Sequence, residues 1–147
     1  MKRVAALGLD VGRKRMGVAG CDGTGLIATG LTTIYRTSFR EDIEKLKAII
    51  AEREVETLVI GLPYTLDGTI GSQAKKVQEF ADKLSHILQL PIEYVDERLT
   101  SVEAEARLKA NKKFSSRNKG AIDKQAATII LQQWLDMKRT QNIRNKV

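Results

Sequence analysis

The sequence predicts one three-layer α/β domain, in which a three-strand antiparallel meander followed by α/β crossovers builds a mixed five-stranded sheet. Three observations predict it. Apolar runs of strand length come first, before any helical spacing. Helix and strand patterns then alternate as far as the fifth strand, and two helical stretches follow it. The 147 residues, 42% of them hydrophobic, suit one core and leave little room for a second.

The elements follow in order. Residues 4–9 form a continuous apolar run, the pattern of a strand covered on both faces. Residues 16–21 and 26–34 read as two more strands, joined by the hairpin chemistry of Asp22-Gly23-Thr24-Gly25. Ser38 can cap a helix, with Glu41 completing a capping box and Ile43, Leu46, Ile49 and Ile50 on its apolar face. Residues 57–60 give a short strand closed by Gly61 and Pro63. Ala74, Val77, Ala81, Leu84 and Leu88 then keep helical spacing until Pro91. Residues 92–95 form the fifth strand. Thr100 or Ser101 starts a short helix to about Lys109, residues 112–120 read as a basic loop, and an amphipathic helix covers 122–137. Residues 1–138 are thus expected as one domain, and 139–147 as a basic, flexible tail.

The composition excludes several chemistries. A single cysteine, Cys21, allows no internal disulfide, and its plain role is that of a small apolar residue. A single histidine, His86, excludes paired-histidine acid–base catalysis within one chain. The net charge of +7 favours polyanions modestly over the alternative of a solvated surface. The first residues do not read as a signal peptide and no run reaches membrane-span length, so a soluble cytoplasmic protein is expected.

Acids stand where acids are costly. Asp10 ends the first apolar strand, and Asp96 and Glu97 end the strand of residues 92–95. Asp123 opens the last helix, on the face of Ala126, Ala127, Ile130 and Trp134. Each has a plain alternative. Asp10 can be a turn residue, Asp123 can favour its helix dipole, and Asp96 and Glu97 can pair with Arg98. Together they converge on one edge of an open α/β sheet, where sites form. Clustered carboxylates repel and would take up protons; a divalent cation removes that penalty. Hard oxygen donors suit Mg2+ or Mn2+, and two such ions suit phosphodiester hydrolysis.

The cations match that reading. Arg13, Lys14 and Arg15 follow Asp10, and Arg98 follows Glu97. Arg107, Lys109, Lys112, Lys113, Arg117 and Lys119 lead to Asp123 without an acid among them. Such a segment can hold a phosphate backbone near the metals, its alternative being a solvated loop. With 5% aromatic residues, base stacking is not the main binding mode. Gly23-Thr24-Gly25-Leu26-Ile27-Ala28 matches the dinucleotide fingerprint in letters, but that motif must open a helix, and here a strand follows.

Four segments in order, Gly8-Leu9-Asp10-Val11-Gly12-Arg13-Lys14-Arg15-Met16-Gly17-Val18-Ala19, Gly61-Leu62-Pro63 with Asp67-Gly68-Thr69, Asp96-Glu97-Arg98-Leu99-Thr100-Ser101, and Lys119-Gly120-Ala121-Ile122-Asp123 with Ala126 and Ala127, resemble the YqgF family, also called RuvX. The resemblance spans nearly all of residues 3–137. It implies an RNase H-like (ribonuclease H/actin-like) fold and a nuclease of the kind described for pre-16S rRNA and, earlier, for Holliday junctions. It also implies Asp10, Glu97 and Asp123 as catalytic metal ligands, with Asp96 the doubtful neighbour, and phosphate contacts from Lys14, Arg15 and Arg98. Gly12 and Gly17 suit tight backbone geometry in the hairpin. Strand alternation turns only one of Asp96 and Glu97 to the metals, and the sequence leaves open which. The expected partner is nucleic acid, pre-rRNA ahead of branched DNA, bound by a monomer or homodimer. Two-fold junction cleavage would require the dimer. Two other classes compete: a sugar-kinase-like phosphotransferase, for which the chain is too short to supply both domains, and a non-catalytic RNA-binding assembly factor.

Overall fold

The computed structural model describes residues 3–63, 68–96 and 119–145. The elements are β1 (Ala6–Val11), β2 (Arg15–Cys21), β3 (Ala28–Tyr35), α1 (Phe39–Arg53), β4 (Thr57–Leu62), α2 (Ser72–Leu88), β5 (Ile92–Asp96) and α3 (Lys119–Asn145). One five-stranded sheet has the order β3-β2-β1-β4-β5. The first three strands pair antiparallel, and β1, β4 and β5 run parallel. The expected meander and crossovers are both present. The short helix expected after Thr100 or Ser101 and the loop at 112–118 lie outside the described residues.

Alternation along β1 explains the three layers. Leu7 and Leu9 join a core with Ile43 and Leu46 of α1 and Val77, Phe80, Ala81 and Leu84 of α2. Ala6 joins a second core with Ala127, Ile130, Leu131, Trp134 and Leu135 of α3. With both faces of β1 covered, its sequence has no polar alternate until Asp10. Each crossover helix ends in a left-handed residue, Glu54 (φ 54) for α1 and Gln89 (φ 56) for α2. Ser38 caps α1 by accepting the Glu41 amide at 3.1 Å. The Glu41 carboxylate meets the Thr37 hydroxyl at 2.5 Å, so the capping box closes one residue earlier than its usual form.

α3 lies against the sheet because two glycines let backbones touch. A Cβ on Gly8 would stand 2.7 Å from the Leu131 Cβ, and one on Gly17 only 2.0 Å from the Asp123 carbonyl oxygen. Gly17 therefore serves the helix–sheet contact, and it is Gly12 that serves the hairpin, where its amide donates to the Arg15 carbonyl at 2.9 Å. The Asp22 turn is a turn, as read. Asp22 accepts the amides of Leu26 and Ile27 and the Thr24 hydroxyl, and these bonds, led by that from Ile27, hold its carboxyl below the usual aspartate value.

The last helix corrects the sequence reading at both ends. It starts at Lys119, where a loop to residue 120 was expected. It also continues to Asn145, so residues 139–145, expected as a loose tail, are helical. Local periodicity could not show this, because the contacts that fasten this end of the helix, at Gln132 and Arg139, are tertiary. Arg139 donates to the carbonyls of Gly25 (3.2 Å) and Leu26 (3.1 Å) and pairs with Asp136. Gln132 accepts the Ala28 amide and donates to the Leu26 carbonyl, both at 2.9 Å.

Among buried polar residues Asp42 stands out, at 2% exposure. It accepts the Thr37 amide at 3.2 Å and pairs with Arg36 Nε at 3.4 Å. Arg36 in turn donates to the Gly12 carbonyl at 2.6 Å and lies 4.5 Å from the Phe80 ring centre. The pair thus ties the β1–β2 turn to the start of α1. Asp42→Ala would leave Arg36 without its counter-charge and should cost about 2–3 kcal/mol, read as a lower urea midpoint with unchanged slope. Gly17→Ala should cost at least about 1–3 kcal/mol by forcing β2 from α3, measured the same way.

Candidate active-site edge

The carboxylate edge is assembled by strand parity and by the start of α3. Asp10 pairs with Gly17 in the β1–β2 ladder. It shares the parity of Ala6 and Gly8, so it belongs to the α3 side of the sheet. Gly17 is the residue against which the Asp123 backbone rests. One register position therefore brings Asp10 of β1 and Asp123 of α3 to the same face, at the carboxyl end of β1.

Two contacts from β3 fix the helix start there. The Thr33 hydroxyl donates to the Gly120 carbonyl at 2.6 Å, and the Tyr35 ring lies against Gly120. Thr33 is paired with Gly17, and Tyr35 with Arg15. These residues all lie on the α3 side. Asp123 is the fifth residue of α3, and no acid occupies its first turn. Attraction to the helix N-terminus, which falls off within that turn, gives a weak account of it. Its partner is Arg15, whose Nε donates to Asp123 Oδ2 at 2.6 Å, with side chains 28% and 19% exposed.

The remaining expected residues separate. In β5, Val95 packs in the α3-side core, whereas Asp96 has the opposite parity and is paired with Leu62 of the other core. Asp96 thus stands on the α1–α2 side, away from Asp10 and Asp123. Glu97, Arg98, Lys112, Lys113 and Arg117 lie outside the described residues, and Lys119 is the first residue of α3. Arg13 and Lys14 are exposed on the β1–β2 turn. That turn is held by Arg36, which also donates its amide to the Lys14 carbonyl at 2.8 Å. Arg13 lines a cleft of about 710 Å³ with Arg36, Lys76 and Phe80, on the α1–α2 side of the sheet. Sequence reasoning missed Arg36 and Asp42, which support the basic turn. It also missed Lys124, whose stem crosses Gly30 of β3 beside Asp123. The last had a signal, since Lys124 follows Asp123 directly; the first two are ordinary charges in the sequence.

Among the described residues no group of three His, Cys, Asp or Glu is close enough to hold a metal ion. The two acids that do share the edge are carboxylates, the donor class of a hard divalent cation.

Sheet order and helix placement make this an RNase H-like fold with an acidic edge at the carboxyl ends of its central strands. A solved structure of Thermus thermophilus RuvC with a Holliday junction substrate has the same fold at a TM-score of 0.54, with 12% identity over 92% of this chain and 96% of that one. Residues 4–137 match the family model described as "RuvX: Holliday junction resolvase". The chain belongs to this RuvX (YqgF) family. Relatives from Rippkaea orientalis (69% identity; 95% of this chain, 100% of the relative) and Crocosphaera subtropica (70%; 95% and 97%) carry the name "Putative pre-16S rRNA nuclease".

Thr33→Val should release the helix start. The expected result is a loss of about 1 kcal/mol and faster amide exchange in the first turns of α3, with exchange in β4 unchanged.

Proposed function

We propose that this chain is a metal-dependent endonuclease that hydrolyses phosphodiester bonds in structured RNA and acts on the 5′ end of pre-16S rRNA. The observation that carries the reading is the meeting of Asp10 and Asp123 on one face of the sheet edge, beside the basic β1–β2 turn. The names of the relatives supply the substrate. Glu97 is the third carboxylate of this proposal, since Asp96 has the parity of the opposite face.

Asp10, Glu97 and Asp123 would hold Mg2+ or Mn2+, as two ions. When bound, these supply Lewis-acid activation of the phosphate and lower the pKa of an attacking water. The chain itself contributes position. β1 and α3 fix two acids with respect to one backbone contact, which limits how far they can relax apart. Arg13 and Lys14 would hold the phosphate backbone, with Arg98, Lys112, Lys113, Arg117 and Lys119 as further contacts. A cytoplasmic location fits that substrate; among the described residues no helix is long and apolar enough to cross a membrane.

Holliday junction resolution is the second reading. The family description and the RuvC likeness favour it. One acid cluster per chain would then require a homodimer, whereas cleavage of RNA needs only a monomer.

End-labelled pre-16S rRNA leader, single-stranded RNA and a four-way DNA junction, each with Mg2+, Mn2+ or chelator, separate the readings. Wild type should cut the leader only with metal. Asp10→Asn should lose cleavage by at least about 100-fold while binding survives, because it removes a ligand and also negative charge. Preference for the junction would promote resolution; binding without any cleavage would leave an RNA-binding factor. Lys112, Lys113 and Lys119 replaced together by Ala should flatten the salt dependence of binding, by a slope change of roughly two to three. An unchanged slope would return that segment to a solvated loop.

A further inference from the structure

The structure gives Arg15 a place that a simple phosphate contact does not explain. It is the first residue of β2, directly after the exposed Arg13-Lys14 turn. Two residues on, Gly17 touches the Asp123 backbone, so the contact that seats α3 also delivers the Asp123 carboxylate to Arg15. The bond runs through Nε to Oδ2 at 2.6 Å, and both side chains are largely withdrawn from solvent. Asp10, the register partner of Gly17, lies on the same face. A cation drawn to the Asp10–Asp123 edge therefore meets a positive charge already seated on one of its ligands.

We propose that Arg15 and a divalent cation are alternative counter-charges for Asp123, so that Arg15 sets the metal affinity of this edge. This rests on the metal-site reading above. Two terms support it. With Arg15 on Asp123, the two acids of the edge coexist without their full mutual repulsion, which stabilises the fold independently of metal. The same guanidinium raises the free energy of a dication at Asp123, by like-charge repulsion across a few ångströms. Because Arg15 begins its strand and is 28% exposed, it can yield the carboxylate and turn toward the solvent side. There, next to the exposed turn that carries Lys14, it would contact the phosphate backbone. The exchange makes a cation on Asp123 and a phosphate on Arg15 mutually reinforcing, since each favours the broken ion pair.

Mn2+ titration of the intact chain without nucleic acid, followed by calorimetry and by the electron paramagnetic resonance of free Mn2+, tests this on wild type, Arg15→Gln, Arg15→Met and Asp123→Asn. Thermal melting in chelator and in Mn2+ runs beside it. Arg15→Met keeps an aliphatic stem over the sheet and is the second uncharged variant should Arg15→Gln fold poorly. Both uncharged variants should bind Mn2+ about threefold to tenfold more tightly than wild type. They should melt lower in chelator and gain more from Mn2+ than wild type does. A purely structural ion pair would lower melting and leave Mn2+ affinity unchanged, and a residue that only orients Asp123 would weaken Mn2+ binding on removal. Either result overturns the proposal and leaves the metal site standing, provided that wild type binds Mn2+ and Asp123→Asn does not. Absence of Mn2+ binding in wild type and variants alike overturns both the proposal and the metal-site reading.

Discussion

The backbone contact between Gly17 of β2 and Asp123 of α3 is the constraint on which the rest of this molecule depends. No side chain fits between them, since even a Cβ would come within 2.0 Å of the carbonyl oxygen. That approach sets the depth of α3 on the sheet, and the neighbouring approach at Gly8 continues it along β1. Because Gly17 is paired with Asp10, depth also fixes distance between two acids that lie 113 positions apart in the chain (123 − 10). The clips at Thr33 and at Gln132 and Arg139 hold the helix to β3 and to the β2–β3 turn, so it has little freedom to slide.

Electrostatics then explains why the edge can exist within a folded chain. Carboxylates at a partly buried strand end oppose one another, and folding tolerates them only with counter-charge near by. Arg15 supplies it within the site. Arg36 and Asp42 do related work one layer away. Their partly buried pair has its net worth less in attraction than in the geometry it enforces, because the Arg36 fork reaches both Asp42 and the Gly12 carbonyl. The turn carrying Arg13 and Lys14 is thereby held in place while those two side chains stay exposed. Anchored backbone and exposed charge together are what a phosphate contact requires.

The two faces of the sheet divide the labour. The α1–α2 side holds the larger apolar core and also carries Asp96 and the cleft by Arg13. The α3 side holds a core that opens onto the acids. The RuvX family match, over residues 4–137, takes in all five strands of the sheet and so covers both of these faces.

Much of this was legible in the chain itself. Runs of apolar residues, the Asp22 turn and the Ser38 cap determine strands, hairpin and helix because each is a local preference with a short range. Asp10, ending an apolar run, marks the edge by its cost alone. The extent of α3 was not legible, since Arg139, where the extension begins, is held by partners more than a hundred positions away. Nor was the side of the sheet on which Asp96 stands, because alternation gives opposite faces without saying which face carries α3. The pairing of Arg15 with Asp123 and the burial of Asp42 were equally silent, as both Arg15 and Asp42 stand among other charges in the sequence rather than in an apolar run. The sequence by itself determined which elements form and which side chains bear charge; the tertiary structure decided which charges meet, because only the register of β1 on β2 and the close seat of α3 convert positions along a chain into distances.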